Sequence, residues 1–256
     1  MVPGRCLQSY NGAMTVDRQP TILATSGGLI RGNRTEVAFG PLLHYALDLS
    51  GAAHPKLAYL GTAMGDDSAR GLRMIEAGRS VGVPVDLLNL FPMPNVDDLE
   101  DYLLSHDVIW VGGGSVANLL ALWRLHGLDL ALRRAWQAGV VLGGVSAGSL
   151  CWHQGGTTDS FSPELSLITN GLAFLPYSNG VHYDSEPRRR PLFRQLIAQG
   201  LLSDGYATED GTGLVFRGTT LVEAVTEVKG KLAYSVQRRG TEVDEQPLET
   251  RPLAGG

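Results

Sequence analysis

Five short apolar runs, each closing on a turn and each separated from the next by a helical stretch, constrain this chain more than any other feature. The runs are TILATSGG (21–28), KLAYLGTAMGDD (56–67), VPVDLLNLF (83–91), DVIWVGGG (107–114) and VVLGGVSAG (140–148). Between them lie VAFGPLLHYALDLSG (37–51), SARGLRMIEAGRSVG (68–82), NVDDLEDYLLSH (95–106), SVANLLALWRLHG (115–127) and LDLALRRAWQAG (128–139), which carry helical spacing. Ser68 is placed to cap the second of these helices, and an Asn-Asp cluster opens the third. Strands alternating with helices predict an α/β fold with a mostly parallel sheet flanked by helices on both faces.

After Gly155 the pattern changes. LSLITNGLAFLP (165–176) and NGVHYD (179–184) read as short extended pieces, and RRPLFRQLIAQGLL (189–202) as an amphipathic helix. Residues 205–240 alternate around glycine turns and predict an antiparallel C-terminal extension. With no internal repeat and no linker, the expected organisation is a leader over 1–18, one α/β domain over 19–240 and a polar, fraying tail over 241–256. The leader carries one early Arg and no apolar run behind it, so it does not read as a secretory signal, and Met14 is an alternative start.

Composition narrows the function classes. The chain has 256 residues, 43% hydrophobic and 18% charged, which suits one globular domain. A formal net charge of -5 leaves no electrostatic footprint for nucleic acid. No run approaches the roughly 18 apolar residues of a membrane span. Cys6 and Cys151 form neither a disulfide framework nor a metal spacing, and Cys151 reads as core. A cytoplasmic protein without metal or cofactor is expected.

Open α/β sheets bind ligands beyond the carboxyl ends of their strands. Three glycine turns fall there: Gly27-Gly28, Gly112-Gly113-Gly114 and Gly143-Gly144. The last encloses Ser146 in a G-x-S-x-G pattern, the sequence of a nucleophile on a sharp strand-to-helix turn. Gly112–Gly114 with Ser115 is not G-x-G-x-x-G and lacks the acidic partner of a dinucleotide loop, so it reads as an oxyanion or carboxylate cradle.

A serine nucleophile needs a base. Of the six histidines, His44 and His126 lie in helical patterns, His54 precedes a proline, and His106 stands at the amino end of a strand. His153 follows Ser146 by seven positions, about two helical turns, and points down the shaft. His182 sits in a turn-rich loop with carboxylates nearby and is the candidate base. For the acid that orients it, Asp159, Asp184, Glu186, Glu209 and Asp210 all remain open.

The pieces VIWVGGGSVANLL, GGVSAGSLCW, GTTDSF, NGLAFLP, GVHYDSEPRRRPLF and ATEDGTGLVF, in that order over about Asp107–Arg217, resemble peptidase family S51, the peptidase E and cyanophycinase group. That resemblance implies a class I glutamine amidotransferase-like α/β fold and serine peptidase chemistry on a short peptide substrate. It assigns Ser146 as nucleophile and His182 as base. It offers Asp210 or Asp159 as the acid, with Asp210 preferred because an acid late in the chain, just after a strand, can approach the histidine loop. It places the oxyanion hole at the Gly114 and Ala147 amides, with Gly113 and Ser115 in the same substrate-binding loop. Arg188 matches the arginine that holds an acidic first residue of a dipeptide, whereas Arg189 and Arg190 read as a solvated basic helix start. The chain departs from the family pattern at Ser115, usually Asn, at Ser149, usually small and apolar, and in a shorter His-to-Arg spacing. Other readings on the same scaffold are an esterase, a cyanophycinase-like exopeptidase, an amidotransferase relative or a non-catalytic small-molecule binder. Assembly as a homodimer is left open.

Overall fold

A computed structural model describes residues 19–254; the expected leader, with Cys6 and Met14, lies outside the described residues. The chain runs β1 (Thr21–Thr25), β2 (Leu29–Ile30), β3 (Ala38–Phe39), α1 (Pro41–Leu49), β4 (Leu57–Leu60), α2 (Ser68–Ser80), β5 (Val85–Leu88), α3 (Leu99–Leu104) and β6 (Val108–Val111). It continues through α4 (Val116–His126), α5 (Leu128–Gln137), β7 (Val141–Val145), α6 (Ala147–Leu150), β8 (Gly155–Thr158), β9 (Ser166–Ile168) and β10 (Ser178–Gly180). It closes with α7 (Arg189–Ala198), β11 (Gly205–Thr208), β12 (Thr212–Arg217), β13 (Thr220–Thr226), β14 (Ala233–Arg239), β15 (Glu242–Leu248) and β16 (Thr250–Pro252).

The five apolar runs form the parallel half of an eight-stranded sheet ordered β16-β13-β12-β1-β7-β6-β4-β5. Their near-continuous hydrophobicity has a geometric cause. Successive strand residues face opposite sides, and both sides are covered. Ile22, Ala58, Leu60, Ile109, Val111 and Leu142 enter one core, which α3, α4 and α5 cover. Leu23, Leu57, Tyr59, Val108, Trp110 and Val141 enter the other, which α1 and α2 cover. Trp110 is fully buried, and a Cβ on Gly143 of neighbouring β7 would meet its ring at 3.0 Å. That contact explains a glycine in mid-strand.

Local signals place most helix ends. Asp98 accepts the Asp101 N–H at 2.9 Å as the cap of α3, and Gly127 at φ 70° separates α4 from α5. At α2 the cap is Asp67, whose carboxylate accepts the Arg70 N–H at 2.8 Å, and the expected cap Ser68 is the first helical residue. The carboxylate receives the orphan Arg70 N–H in place of the hydroxyl.

The second half of the chain does more than extend one sheet. It builds a separate six-stranded sheet, β15-β14-β11-β10-β8-β9, with α7 packed on it through Phe193, Leu196 and Ile197. Within it β10 runs parallel to both β8 and β11. The segment expected to fray is in fact ordered strand: β15 pairs with β14 and β16 pairs with β13. Cross-strand hydrogen bonding outweighs its polar composition.

Candidate active site

Ser146 follows β7 directly and has φ 58° and ψ -113°. Such a backbone is costly for a residue with a Cβ, on the order of 1–3 kcal/mol, and persists only where the surroundings impose it. Here the flanking glycines impose it. A Cβ on Gly144 would lie 2.6 Å from both the Gly148 and Val111 carbonyl oxygens, and one on Gly148 would lie 2.2 Å from the Val111 oxygen. Only glycine permits β7 and α6 to approach β6 this closely. The turn is pinned by the Ser146 N–H, which donates to Thr25 O at 3.1 Å. The elbow read from the sequence is therefore built as a crowded strand-to-helix turn, although α6 has only four residues and supplies little dipole.

The glycine loop after β6 lies against the serine. A Cβ on Gly113 would sit 3.2 Å from Ser146 Cβ and 3.9 Å from its Oγ. Gly114 has φ 137° and backs onto the Ala63 carbonyl, while Ser115 N–H donates to that same carbonyl at 2.9 Å. Among the described residues, the Gly113, Gly114 and Ala147 N–H groups donate to no acceptor. Ser115, expected to face substrate, turns its hydroxyl to the Asn118 N–H at 3.3 Å and caps α4.

His182 and Asp210 come from the second sheet. They follow the carboxyl ends of β10 and β11, parallel neighbours in which Gly180 pairs with Ala207. The two side chains thus emerge together, and His182 Nδ1 lies 2.6 Å from Asp210 Oδ1. The His182 ring is about one-fifth exposed. Its backbone is also left-handed, with φ 53°, and its N–H donates to Ser26 Oγ at 3.1 Å.

The other acids are engaged elsewhere. Asp184 accepts the Asp210 N–H at 2.9 Å and pairs with Lys231. Burial pushes the Asp184 carboxyl up, but those two donors outweigh it and hold the group below its ordinary range. Glu209 accepts from the Leu232 N–H and the Tyr234 hydroxyl, each at 2.9 Å. Glu186 takes Arg189, and Asp159 faces the same guanidinium at 3.9 Å. Asp159 follows β8, on the opposite flank of β10 from Asp210.

His153 is fully buried, with Nδ1 at 2.9 Å from Ser149 O. Burial lowers its pKa to about 4 against the pull of that carbonyl, so it stays neutral within the core. Cys151 is likewise fully buried, and burial pushes its thiol up. It cannot serve as the nucleophile of an amidotransferase relative, because a thiolate is disfavoured there.

The arginines divide differently from the expectation. Arg189 is not solvated. Its side chain is 5% exposed, donating to Thr157 O at 2.9 Å and to Glu186. Arg190 lies over the Tyr183 and Tyr234 rings, 5.3 and 4.7 Å from their centroids, and pairs with Glu245. Neutralising carboxylates and ring faces overcome the unfavourable helix start. Arg188 is 61% exposed, pairs with Glu164 and donates to Pro163 O at 3.0 Å. It lines a cleft of about 300 Å³ with Asp159, Leu165, Ser185 and Glu186.

Sequence reading missed Ser26, Glu227, Lys231 and Glu245. The Thr25-Ser26-Gly27-Gly28 strand end was visible as a glycine turn, but its polar contacts reach residues more than 180 positions away. Among the described residues, no group of three or more His, Cys, Asp or Glu side chains is arranged to hold a metal ion, and no helix is long and apolar enough to cross a membrane.

Solved structures share this architecture. A peptidase from an acI-B1 actinobacterium superposes with a TM-score of 0.63 at 16% identity, covering 91% of this chain and 95% of that one. A putative peptidase E protein from Listeria monocytogenes EGD-e gives 0.57 at 16% identity, covering 81% and 98%. The fold is that of the peptidase E-like α/β proteins. In sequence, residues 22–224 match peptidase family S51. The uncharacterized peptidase YgaJ of Bacillus subtilis (strain 168) is 40% identical over 232 residues, 91% of this chain and 98% of its own length. The chain belongs to peptidase family S51, a family of peptidases.

Proposed function

We propose that this peptidase is a cytoplasmic serine enzyme that cleaves short peptides, dipeptides among them, through Ser146, His182 and Asp210. One observation carries the reading. A serine forced into a left-handed backbone at a strand end shares that end of the molecule with a histidine whose Nδ1 is held by a carboxylate. Asp210 on Nδ1 fixes the tautomer that leaves Nε2 free to accept a proton, and it stabilises the imidazolium that forms.

His182 Nε2 takes the hydroxyl proton as Ser146 Oγ attacks the scissile carbonyl. The Gly114 and Ala147 amides receive the oxyanion, a contribution of roughly 3 kcal/mol per donor in comparable sites. The C–N bond breaks as the same Nε2 protonates the leaving amine. Water, losing its proton to His182, then attacks the acyl-enzyme; the ester C–O bond breaks, His182 returns the proton to Ser146 Oγ, and the acid leaves. The Ser146 hydroxyl makes no hydrogen bond among the described residues; a nucleophile–base bond of this kind tightens in the Michaelis complex. No step calls on a metal or cofactor. The peptide lies against the Gly113 loop beside Ser146, and an acidic first residue would reach Arg188.

The test is labelling with a fluorophosphonate, followed by mapping of the adduct and turnover of a short-peptide library. Modification at Ser146, lost in Ser146→Ala, is the expected result. Library turnover retained by a protein that resists the label, or labelled at another residue, would refute the mechanism.

A further inference from the structure

Two of the three glycine turns at strand ends serve the proposed chemistry; the third, Thr25-Ser26-Gly27-Gly28, does not enter it. It cradles a carboxyl group, but the group is the chain's own. Glu227, only 9% exposed, accepts the Gly28 N–H at 2.8 Å and the Leu42 N–H at 3.0 Å. Beside it, Ser26 is 3% exposed and connects to both sheets. Its Oγ accepts the His182 N–H at 3.1 Å and lies 2.7 Å from Thr208 Oγ1. Its carbonyl accepts the Gly211 N–H at 2.9 Å, one residue beyond Asp210. The preceding carbonyl, of Thr25, accepts the Ser146 N–H.

We propose that Ser26 is a positioning residue that sets His182 against both Asp210 and Ser146. The inference rests on the serine-peptidase reading above and adds a residue to it. Base and acid stand on one sheet and the nucleophile on the other, so their mutual geometry depends on whatever joins the two. A left-handed backbone at His182 has to be imposed from outside. Ser26 Oγ imposes it from one side and Ser26 O fixes the Asp210 turn from the other. With alanine at this position the part-buried His182 N–H loses its acceptor, an unfavourable state that a rotation of the loop relieves. Displacing a reacting group by about 1 Å can cost on the order of a hundredfold in rate.

The test compares wild type, Ser26→Ala, Ser26→Thr and Thr208→Val. Each is measured by fluorophosphonate labelling rate, by kcat and KM on a cleaved peptide, and by the His182 Nδ1–H proton resonance. Ser26→Ala should lower labelling and kcat by about ten- to a hundredfold with KM within threefold, and should shift or broaden that resonance. Ser26→Thr, which retains the hydroxyl, should stay within about fivefold. In an Asp210→Ala background, Ser26→Ala should add little, because coupled residues are not additive. A folded Ser26→Ala with wild-type labelling and an unmoved resonance overturns the proposal. So does a rate loss matched by unfolded fraction alone. Should Ser26→Ala fail to fold, Thr208→Val removes the hydroxyl 2.7 Å from Ser26 Oγ and leaves only the Thr208 carbonyl at 3.3 Å to orient it; the His182 resonance should still shift, and an unmoved resonance there overturns the proposal. Failure of the parent reading looks different: wild type itself is then not labelled at Ser146, while the resonance still reports whether Ser26 positions His182.

Discussion

The two sheets contribute to the site by opposite means. The parallel sheet supplies Ser146 through crowding: β6, β7 and α6 approach so closely that glycines must flank the serine, and its backbone has little choice. The six-stranded sheet supplies His182 and Asp210 through register and polar contacts: two parallel strands end side by side, and ion pairs hold the loops beyond them. Crowding is local and is written into a few consecutive residues. Register and ion pairing join distant segments and leave weak marks in the sequence. If Ser146, His182 and Asp210 react as proposed, altering the serine should stop turnover with the fold kept, whereas altering the residues that hold His182 and Asp210 should also cost geometry and stability.

The largest expected effect belongs to the first half. Ser146→Ala should reduce turnover by several orders of magnitude, as removal of a nucleophile does in serine peptidases. Its melting temperature should stay close to wild type, because the left-handed backbone is imposed by Gly144 and Gly148 and not by the hydroxyl. Retained turnover in a purified variant would break the assignment.

The second effect separates the two carboxylates that flank β10. Asp210→Asn should lower kcat by about a thousandfold or more, since the amide can favour the wrong histidine tautomer. Asp159→Asn should stay within about tenfold, because Asp159 faces Arg189 and not the imidazole. Reversal of that order would move the acid to the other flank. Both residues follow strands adjacent to β10, and the resemblance to the family had offered both. Only the side-chain contacts distinguish the flanks.

Stability should distinguish the halves as well. His153 belongs to the nucleophile half and is buried neutral with a pKa near 4. Its folded-state pKa lies below its unfolded one, so the unfolded chain binds the extra proton first. Stability is fully present above about pH 6.5 and falls as the pH drops toward 4, by on the order of 3 kcal/mol. Thermal melts from pH 7 to pH 4.5 should show that fall, and His153→Gln should flatten it. An unchanged slope in the variant would assign the acid sensitivity to other groups.

In the other half, Glu245 is the corresponding anchor. It accepts from the Tyr183 hydroxyl at 2.6 Å and pairs with Arg190 and Arg194, so strand β15 holds the residue next to His182. Glu245→Ala leaves the buried Tyr183 hydroxyl without its acceptor and two part-exposed arginines without their carboxylate, and should cost about 1–3 kcal/mol in urea melts, with a secondary loss of kcat. A chain ending at Gly240 should lose at least as much. No such role was legible in TEVDEQPLETRPLAGG, whose polarity resembles that of a solvated tail. The five parallel strands and the strand-to-helix turn at Ser146 were legible, because each is announced by residues close together in sequence, whereas the choice of His182 rested on the resemblance to the family. The split into two sheets was not, because strand pairing across a turn-rich region depends on which distant edge is free.

The smallest effect concerns substrate choice. Arg188 lines a surface cleft, 61% exposed and paired with Glu164. An ion pair this exposed contributes only about 0.2–1 kcal/mol. Two consequences follow from the same number. A substrate carboxylate can displace Glu164 at little cost, and the gain from doing so is equally small. A dipeptide with an acidic first residue should therefore be preferred over its alanine counterpart by no more than about fivefold. Arg188→Ala should remove that preference and leave turnover of Ala-Leu unchanged. Glu164→Gln should enlarge it, because the guanidinium then loses its internal competitor. Measuring kcat/KM for Asp-Leu and Ala-Leu in all three proteins decides the matter. A preference of a hundredfold would show that the guanidinium becomes buried around the bound peptide. Equal rates in every variant would place the first residue of the substrate away from Arg188.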